Sequence, residues 1–265
     1  MIFYFSGTGN TRHTARILAE RTNEQLFDLA AELRQHSGKG FLHYAPDADE
    51  RIGFAFPVHS WGPPEIVTDF IRRLALDGYQ EQYCYFVCTC GDDVGETCNI
   101  LKQVLAERGY RLDAGFNVFM PNTYVSFPGF DIDDEQTATR KLHDAVERTD
   151  AICEKIIARE RNRFELFEGT CAKLKSYVVR PLFNRFLLTD RPFHVTTDCI
   201  SCGKCATVCP TGNIRMTDGK PQWLGHCTSC LACYHYCPSH AIMYGRLTRQ
   251  KGQYNYEKYT KKSIK

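Results

Sequence analysis

The sequence predicts an α/β chain in two parts: a doubly wound, five-stranded parallel sheet over residues 1–160 and a small α+β domain over residues 191–245. A helical connector over 161–190 joins them, and a basic tail over 246–265 follows. Three observations carry this. Strand-like apolar runs alternate with amphipathic helical patterns through the first part, as in a parallel sheet covered on both faces. A loop of small, hydroxyl-bearing residues separates the first strand from the first helix. Further on, one phrase, C-x2-C-x2-C-x3-C followed by Pro, is written twice: at Cys199, Cys202, Cys205 and Cys209, and again at Cys227, Cys230, Cys233 and Cys237.

The first strand is "MIFYF", apolar and aromatic enough to be buried. It runs into Ser6, Gly7, Thr8, Gly9, Asn10 and Thr11, then into "RHTARILAERT", with Ala15, Leu18 and Ala19 at helical spacing. Strand, small-residue loop and helix N-terminus together suit a phosphate. Glycine lets the backbone approach closely, and the free N–H groups and the helix dipole face the anion. Ser6, Thr8, Asn10 and Thr11 add side-chain donors. No Lys follows the glycines, which argues against a nucleoside-triphosphate loop, and the third glycine of G-x-G-x-x-G is missing. A donor-rich loop without a basic residue suits a phosphate monoester.

"RIGFAF" (51–56) is the next long strand and leads into the loop from Pro57 to Pro64. "PPEIVTDFIRRL" is a helix: Pro64 suits its first turn, Glu65 faces its positive end, and Ile66, Phe70 and Leu74 share a face. "YCYFVCT" (83–89) is a further strand and opens into Cys90, Gly91, Asp92, Asp93, Val94 and Gly95. A helix over "GETCNILKQVLAERGY" ends near Gly109, and "GFNVFMP" is the fifth strand. A charged helix from about Asp133 to Glu160 turns Ala138, Leu142, Ala145, Ile152 and Ile156 inward and closes the unit.

In the cysteine phrases, two-residue gaps let three sulfurs curl round one corner of a cubane, and the trailing proline turns the chain away. Zinc is the alternative. Four-sulfur zinc sites usually come as two separated C-x2-C pairs, so the triplet spacing argues against it. Ile214 and Met216 after the first phrase, and Ala241, Ile242 and Met243 after the second, supply apolar cover in a domain too small for an ordinary core.

The doubled phrase resembles that of bacterial two-cluster ferredoxins. The resemblance implies two [4Fe-4S] clusters, each taking its fourth cysteine from the other phrase: Cys199, Cys202, Cys205 and Cys237 for one; Cys227, Cys230, Cys233 and Cys209 for the other. The opening loop resembles the phosphate loop of flavodoxins, whose ligand is FMN, and implies a flavodoxin-like sheet. The likeness continues along the chain. Trp61 matches the aromatic residue on one flavin face, and Gly62 the peptide that meets the flavin N5. His59 and Ser60 flank that ring, and His59 could donate to the flavin, although a loop histidine is more often simply solvated. Thr89, Cys90, Gly91 and Asp92 match the second flavin-contacting loop. Many flavodoxins carry a tyrosine on the outer flavin face; Gly95 takes its place here, which implies an open face. Taken singly, a Gly-rich turn or a loop tryptophan is often only packing. Three such loops in order, each after a strand, fall where an open α/β sheet binds its ligand.

The whole chain resembles a family of bacterial and archaeal fusions of a flavodoxin-like domain with a two-cluster ferredoxin. Two functions follow from the resemblance: an electron carrier that links FMN to the clusters for a redox protein partner, or an oxidoreductase that reduces a small acceptor such as a quinone at the open flavin face. No catalytic acid–base pair is recognisable, which favours the carrier.

The remaining features bound the setting. Fourteen cysteines with no room for a signal peptide before the first strand predict metal ligation in the reducing cytoplasm rather than disulfides. Cysteines of the fourth strand read as small core residues, and a redox role for Cys90 has nothing else behind it. No apolar run is long enough to span a bilayer, and no motif points to nucleic acid. Residues 1–130 carry a net −5, residues 131–190 a net −1 and residues 191–265 a net +8. Opposite charge favours contact between the halves, within one molecule or a symmetric dimer, or docking of an acidic redox partner. The tail itself reads as a frayed, solvated terminus. The connector, apolar at Leu174, Val178, Leu182, Phe186 and Leu187 with Lys173, Lys175, Arg180 and Arg185 interspersed, reads as a helix packed across the junction and kinked near Pro181; an amphipathic docking surface is the alternative.

Overall fold

Alternation of side chains along the strands sets the two faces of the main sheet. In the computed structural model, which describes residues 1–36, 38 and 40–263, six strands run parallel. They are β1 (Ile2–Tyr4), β2 (Leu26–Asp28), β3 (Ile52–Pro57), β4 (Cys84–Cys90), β5 (Ala114–Phe119) and β6 (Arg163–Glu165). Their order is β2-β1-β3-β4-β5-β6, and the first five follow the doubly wound order of the flavodoxin-like fold. Phe3, Phe54, Phe56, Phe86 and Cys88 point to one face; Ile2, Ala55, Tyr85 and Val87 point to the other. Helices α2 (Leu29–Gln35), α3 (Glu65–Arg73) and α4 (Thr97–Ala106) cover the first face, and α1 (Asn10–Thr22) and α5 (Glu135–Ile157) the second. Strand β4 is buried along its whole length, as a central strand must be.

The main sheet has one strand more than expected, and Leu42–Tyr44 pairs in parallel with Leu74–Leu76 in a separate two-stranded sheet, so Leu74, expected on the helix, starts a strand instead. Residues 163–165 were predicted to belong to the helical connector, but they pair in parallel with β5, Ala114 opposite Arg163. The tripeptide Arg-Phe-Glu has no apolar alternation to announce it. Ion pairs hold it instead: Glu165 meets Lys155 at 2.5 Å, Arg148 at 2.8 Å and Arg163 at 2.6 Å. These contacts, Lys155 foremost, pull its carboxyl down to about 2.

The connector proper is one helix over 172–186, interrupted by a π-turn at Lys175–Val179 just before Pro181. Proline lacks the N–H that a regular turn needs there, so the predicted kink takes the form of a widened turn. Ser176 and Arg180 face the sheet unit: the Ser176 hydroxyl donates to the Trp61 carbonyl at 2.7 Å and accepts from the Glu96 N–H at 2.8 Å, and Arg180 donates to the Pro63 carbonyl at 2.6 Å.

The second unit is built on an internal repeat of 28 residues that the cysteine phrases share. Phe193–Val195 pairs antiparallel with Ile242–Tyr244, and Ile214–Thr217 with Lys220–Trp223. Equivalent positions adopt the same left-handed backbone in both halves: Ser201 and Ser229, Gly203 and Leu231, Gly212 and His240. Glycine serves at two of these positions in the first half, whereas Leu231 and His240 occupy them in the second.

The tail departs from expectation. Instead of fraying, it folds back over the first unit. Tyr254 is buried, its hydroxyl donating to the Asn10 side-chain oxygen at 2.8 Å, and the Tyr256 N–H donates to the Thr8 carbonyl at 3.0 Å. His13 stacks on Tyr256 with ring centroids 4.3 Å apart. The ion pair here, Arg12 with Glu257, sets the positive charge on the acidic half and the negative charge on the basic half. Lys251 caps the Val125 and Phe127 carbonyls at 2.7 and 2.6 Å. His235, buried beneath, bridges Thr123 and Tyr254 through its two ring nitrogens. Residues 264–265 of the predicted tail lie outside the described residues. Among the described residues no helix is long and apolar enough to cross a membrane.

Candidate functional site

The loop after β1 turns sharply at Gly9, whose φ of 100° admits glycine most readily, and α1 begins at the next residue. The Gly9 N–H donates to Ser6 Oγ at 3.2 Å. Thr11 and Thr89 share a hydrogen bond of 2.7 Å between their hydroxyls, tying this loop to the end of β4. Asn10 is committed to the scaffold: its amide nitrogen donates to the Pro121 carbonyl at 3.0 Å and its oxygen accepts from Tyr254. Donors free to meet an anion are therefore Ser6, Thr8 and the backbone N–H groups that open α1.

After β3 the chain makes a two-residue turn closed by reciprocal bonds between His59 and Gly62, at 3.0 and 3.2 Å. Ser60 and Trp61 at its tip both have positive φ, 46° and 57°, the backbone of a type I′ turn that side-chain-bearing residues rarely adopt. Packing of the connector helix on Trp61 and Pro63 holds that conformation in place. Burial, and next the Arg180 charge, hold His59 down to about 4, so its ring is neutral at neutral pH. Cys90 is buried beneath the next loop, 3.2 Å from the Asp92 carbonyl, and burial pushes its thiol up to about 12. An uncharged thiol in that position is a poor nucleophile.

The loops after β1, β3 and β4 border one cavity of about 1170 Å³. Of the fourteen residues predicted to meet a flavin, all except Gly9 and Gly62 border it. Gly9 is covered by Tyr256, and Gly62 by the side chain of Arg180. The open face expected beside Gly95 does not form there. A Cβ on Gly95 would lie 2.5 Å from Ser176 Oγ and 2.6 Å from Trp61 Cβ, so the connector helix fills the space a tyrosine would need. The second unit supplies the opposite wall. Cys227, Thr228, Ser229 and Cys230 line the same cavity, and Gly7 sits against Cys230. The sequence signals for this contact are the opposite charges of the two halves and Gly7, one of two glycines in a loop whose other residues are donors.

The eight phrase cysteines divide into two sets in space. A second, small cavity is walled by Cys199, Cys202, Cys205 and Cys237, with Met216 and Ile242 among its apolar neighbours. In the other set, burial raises Cys227 to about 12, Cys230 to about 11 and Cys233 well above a normal thiol, and the nearby Cys209 sulfur adds to all three. Among the described residues no group of three or more Cys, His, Asp or Glu side chains is arranged to hold a single metal ion. Thiols of this kind release their protons only to a strongly bound cation. Hydrogen bonds to sulfur repeat with the sequence. Cys209 accepts from the Asn213 N–H at 3.2 Å and has the Thr211 hydroxyl at 3.6 Å; Cys237 accepts from the Ala241 N–H at 3.3 Å and has the Ser239 hydroxyl at 3.8 Å. Such bonds tune the potential of a cluster held by those sulfurs.

Residues 198–243 match the 4Fe-4S dicluster domain family. The ferredoxin-like proteins in the nif region of Trichormus variabilis (strain ATCC 29413 / PCC 7937) and Trichormus azollae are each 38% identical over 48 residues, 17% of this chain and 41% of theirs. The chain thus spans about two fifths of the length of the curated relatives it matches. Among solved structures, rubredoxin oxygen:oxidoreductase from Desulfovibrio gigas is 19% identical, covering 58% of this chain and 36% of that one, with a TM-score of 0.30. An FMN-dependent NADH-azoreductase from Bacillus anthracis str. Ames Ancestor in complex with FMN is 8% identical, covering 59% and 99%, with a TM-score of 0.35.

The chain is a fusion: a flavodoxin-like α/β unit followed by a 4Fe-4S dicluster ferredoxin domain.

Proposed function

We propose that the protein carries electrons between FMN, bound in the large cavity, and two [4Fe-4S] clusters, and so links one-electron to two-electron traffic for a redox protein partner. One cluster takes Cys199, Cys202, Cys205 and Cys237; the other takes Cys227, Cys230, Cys233 and Cys209. The observation that carries this is the contact of Gly7 with Cys230, which brings a proposed phosphate loop and a proposed cluster ligand to one wall. Ser6, Thr8 and the α1 N-terminus hold the phosphate, Trp61 and the loop Thr89–Asp92 border the ring, and neutral His59 lies beside it. The division into residues 1–160, 161–190, 191–245 and 246–265 belongs to the same proposal, with 163–165 returned to the sheet. A reducing, cytoplasmic setting belongs to the same proposal, since cysteines that hold clusters must stay out of disulfides.

A second reading is favoured by the size of the cavity. At about 1170 Å³ it exceeds the ~300–1,000 Å³ common for one small ligand, leaving room for an acceptor such as a quinone beside the flavin.

Anaerobic purification tests both. About eight iron, eight sulfide and one FMN per chain are expected. After fast photochemical reduction of the clusters, flavin reduction should proceed at a rate independent of protein concentration. Stoichiometric zinc without iron, or a rate proportional to concentration, overturns the linked-carrier reading. Steady turnover of a quinone by the intact protein selects the second.

A further inference from the structure

The connector helix turns its basic inner side to the sheet unit and leaves an apolar ridge outside. Lys175 pairs with Asp93 at 2.6 Å and Arg180 reaches the Pro63 carbonyl, so both charges are spent inward. Leu174, Val178, Leu182 and Phe186, spaced four apart, are 55, 50, 54 and 64% exposed, with Tyr177 at 50% beside them. On its cavity side the helix joins a row of aromatic rings. Phe183 contacts Tyr124 at 6.1 Å between centroids, Tyr124 contacts Phe130 at 5.6 Å, and Phe130 contacts Phe127 at 6.4 Å; Phe127 and Phe130 are themselves exposed. Contiguous apolar surface on this scale marks an interaction site rather than ordinary surface scatter.

Charge decides the occupant. Residues 169–189 contain four basic residues and no Asp or Glu. Lys173 and Arg185 remain outward, flanking the ridge. A second copy packed about a two-fold axis would set these like charges against each other. A short helix with an apolar face of Leu, Val, Tyr and Phe, and cationic flanks without acidic residues, has the composition of an element that lies in the plane of a membrane interface. We propose that this face docks on an anionic lipid surface, with Leu174, Val178, Leu182 and Phe186 entering the headgroup boundary and Lys173 and Arg185 meeting lipid phosphates. The same helix walls the large cavity from within through Lys175, Arg180 and Phe183. Docking therefore brings that cavity against the bilayer. The inference does not depend on the cofactors proposed above.

Full-length, cluster-loaded protein is sedimented with vesicles of phosphatidylcholine alone and of phosphatidylcholine mixed with phosphatidylglycerol. Binding to the mixed vesicles is expected, weakening as salt rises. Leu182→Glu combined with Phe186→Glu should weaken it about a hundredfold, while cluster absorbance and unfolding temperature stay at wild-type values because both side chains are exposed. Lys173→Gln combined with Arg185→Gln should weaken it about thirtyfold, by a route that leaves the apolar ridge intact. Three results overturn the proposal: no binding to anionic vesicles, binding at wild-type strength by either double variant, or a wild-type dimer that the double glutamate variant disperses.

Discussion

Gly7 rests against the backbone of Cys230: a Cβ on Gly7 would lie 2.8 Å from the Cys230 carbonyl oxygen and 2.9 Å from its Cβ. No flexible side-chain end separates the two, so the loop after β1 and the loop of the second cysteine phrase are held at the closest approach backbones allow. Gly7→Ala should force them apart. A cost of about 1–3 kcal/mol is expected, the range for overpacking a tight contact. Chemical denaturation measures it, and the rate of flavin reduction by the clusters should fall in the same variant. Unchanged stability and rate would show that the contact is looser than it looks.

Cluster ligation predicts an exchange between the phrases. Cys209→Ala should damage the cluster held by Cys227, Cys230 and Cys233, and Cys237→Ala the one held by Cys199, Cys202 and Cys205. Each variant should retain about half the iron, and EPR of the reduced protein identifies the survivor. Damage confined to the cluster of the mutated phrase would refute the crossing.

Thr8 is buried in the loop after β1, proposed above to hold the phosphate, and its carbonyl is already taken by the Tyr256 N–H. Its hydroxyl remains to serve an anion. Thr8→Ala should weaken FMN by about one to two powers of ten, since hydrogen bonds to charged groups contribute ~1.5–3 kcal/mol. Riboflavin, lacking the phosphate, should bind both proteins alike. Equal losses for the two ligands would place the phosphate elsewhere.

His59 makes stability depend on pH. Its ring is held down to about 4 by burial and by Arg180, whereas in the unfolded chain it titrates near 6.5. Between those values the unfolded chain binds more protons. The stability tied to the neutral ring is thus complete above pH 6.5 and is lost as pH falls to 4. From pH 7 to pH 5 the loss should be about 1–2 kcal/mol. Urea midpoints at the two pH values measure it, and His59→Gln should lose less than wild type. The same drop in both proteins would exonerate the histidine.

What the sequence discloses depends on how local the cause is. The doubled cysteine phrase and the turn from Ser6 to Thr11 into the first helix are legible because each shows as particular residues at short spacing. The strands Ile52–Pro57 and Cys84–Cys90 are legible because burial on both faces leaves continuous apolar runs. Strand β6 is not, since charged pairs at Glu165 rather than a pattern hold it. Gly95 reads as a vacancy until Ser176, from a helix some eighty residues away, is seen to fill it. The tail hides its role behind its charge. Its lysines are conspicuous, while the contacts that matter come from Tyr254 and Tyr256, whose partners near residue 10 no local rule connects to them.

That strap also fixes an order of assembly. Residues 8–13 leave the ribosome well before residues 254–257, and chains generally fold from the N-terminal side during synthesis. The sheet unit can form early, but Gly9, Asn10 and His13 are covered only when Tyr254 and Tyr256 arrive. Those tyrosines arrive after the second unit, since His235 anchors Tyr254 from beneath. A nascent chain that fails to build its second unit would thus keep the loop after β1 unsealed, and if that loop holds FMN as proposed, retention of flavin in newly made protein would report that the second unit had formed.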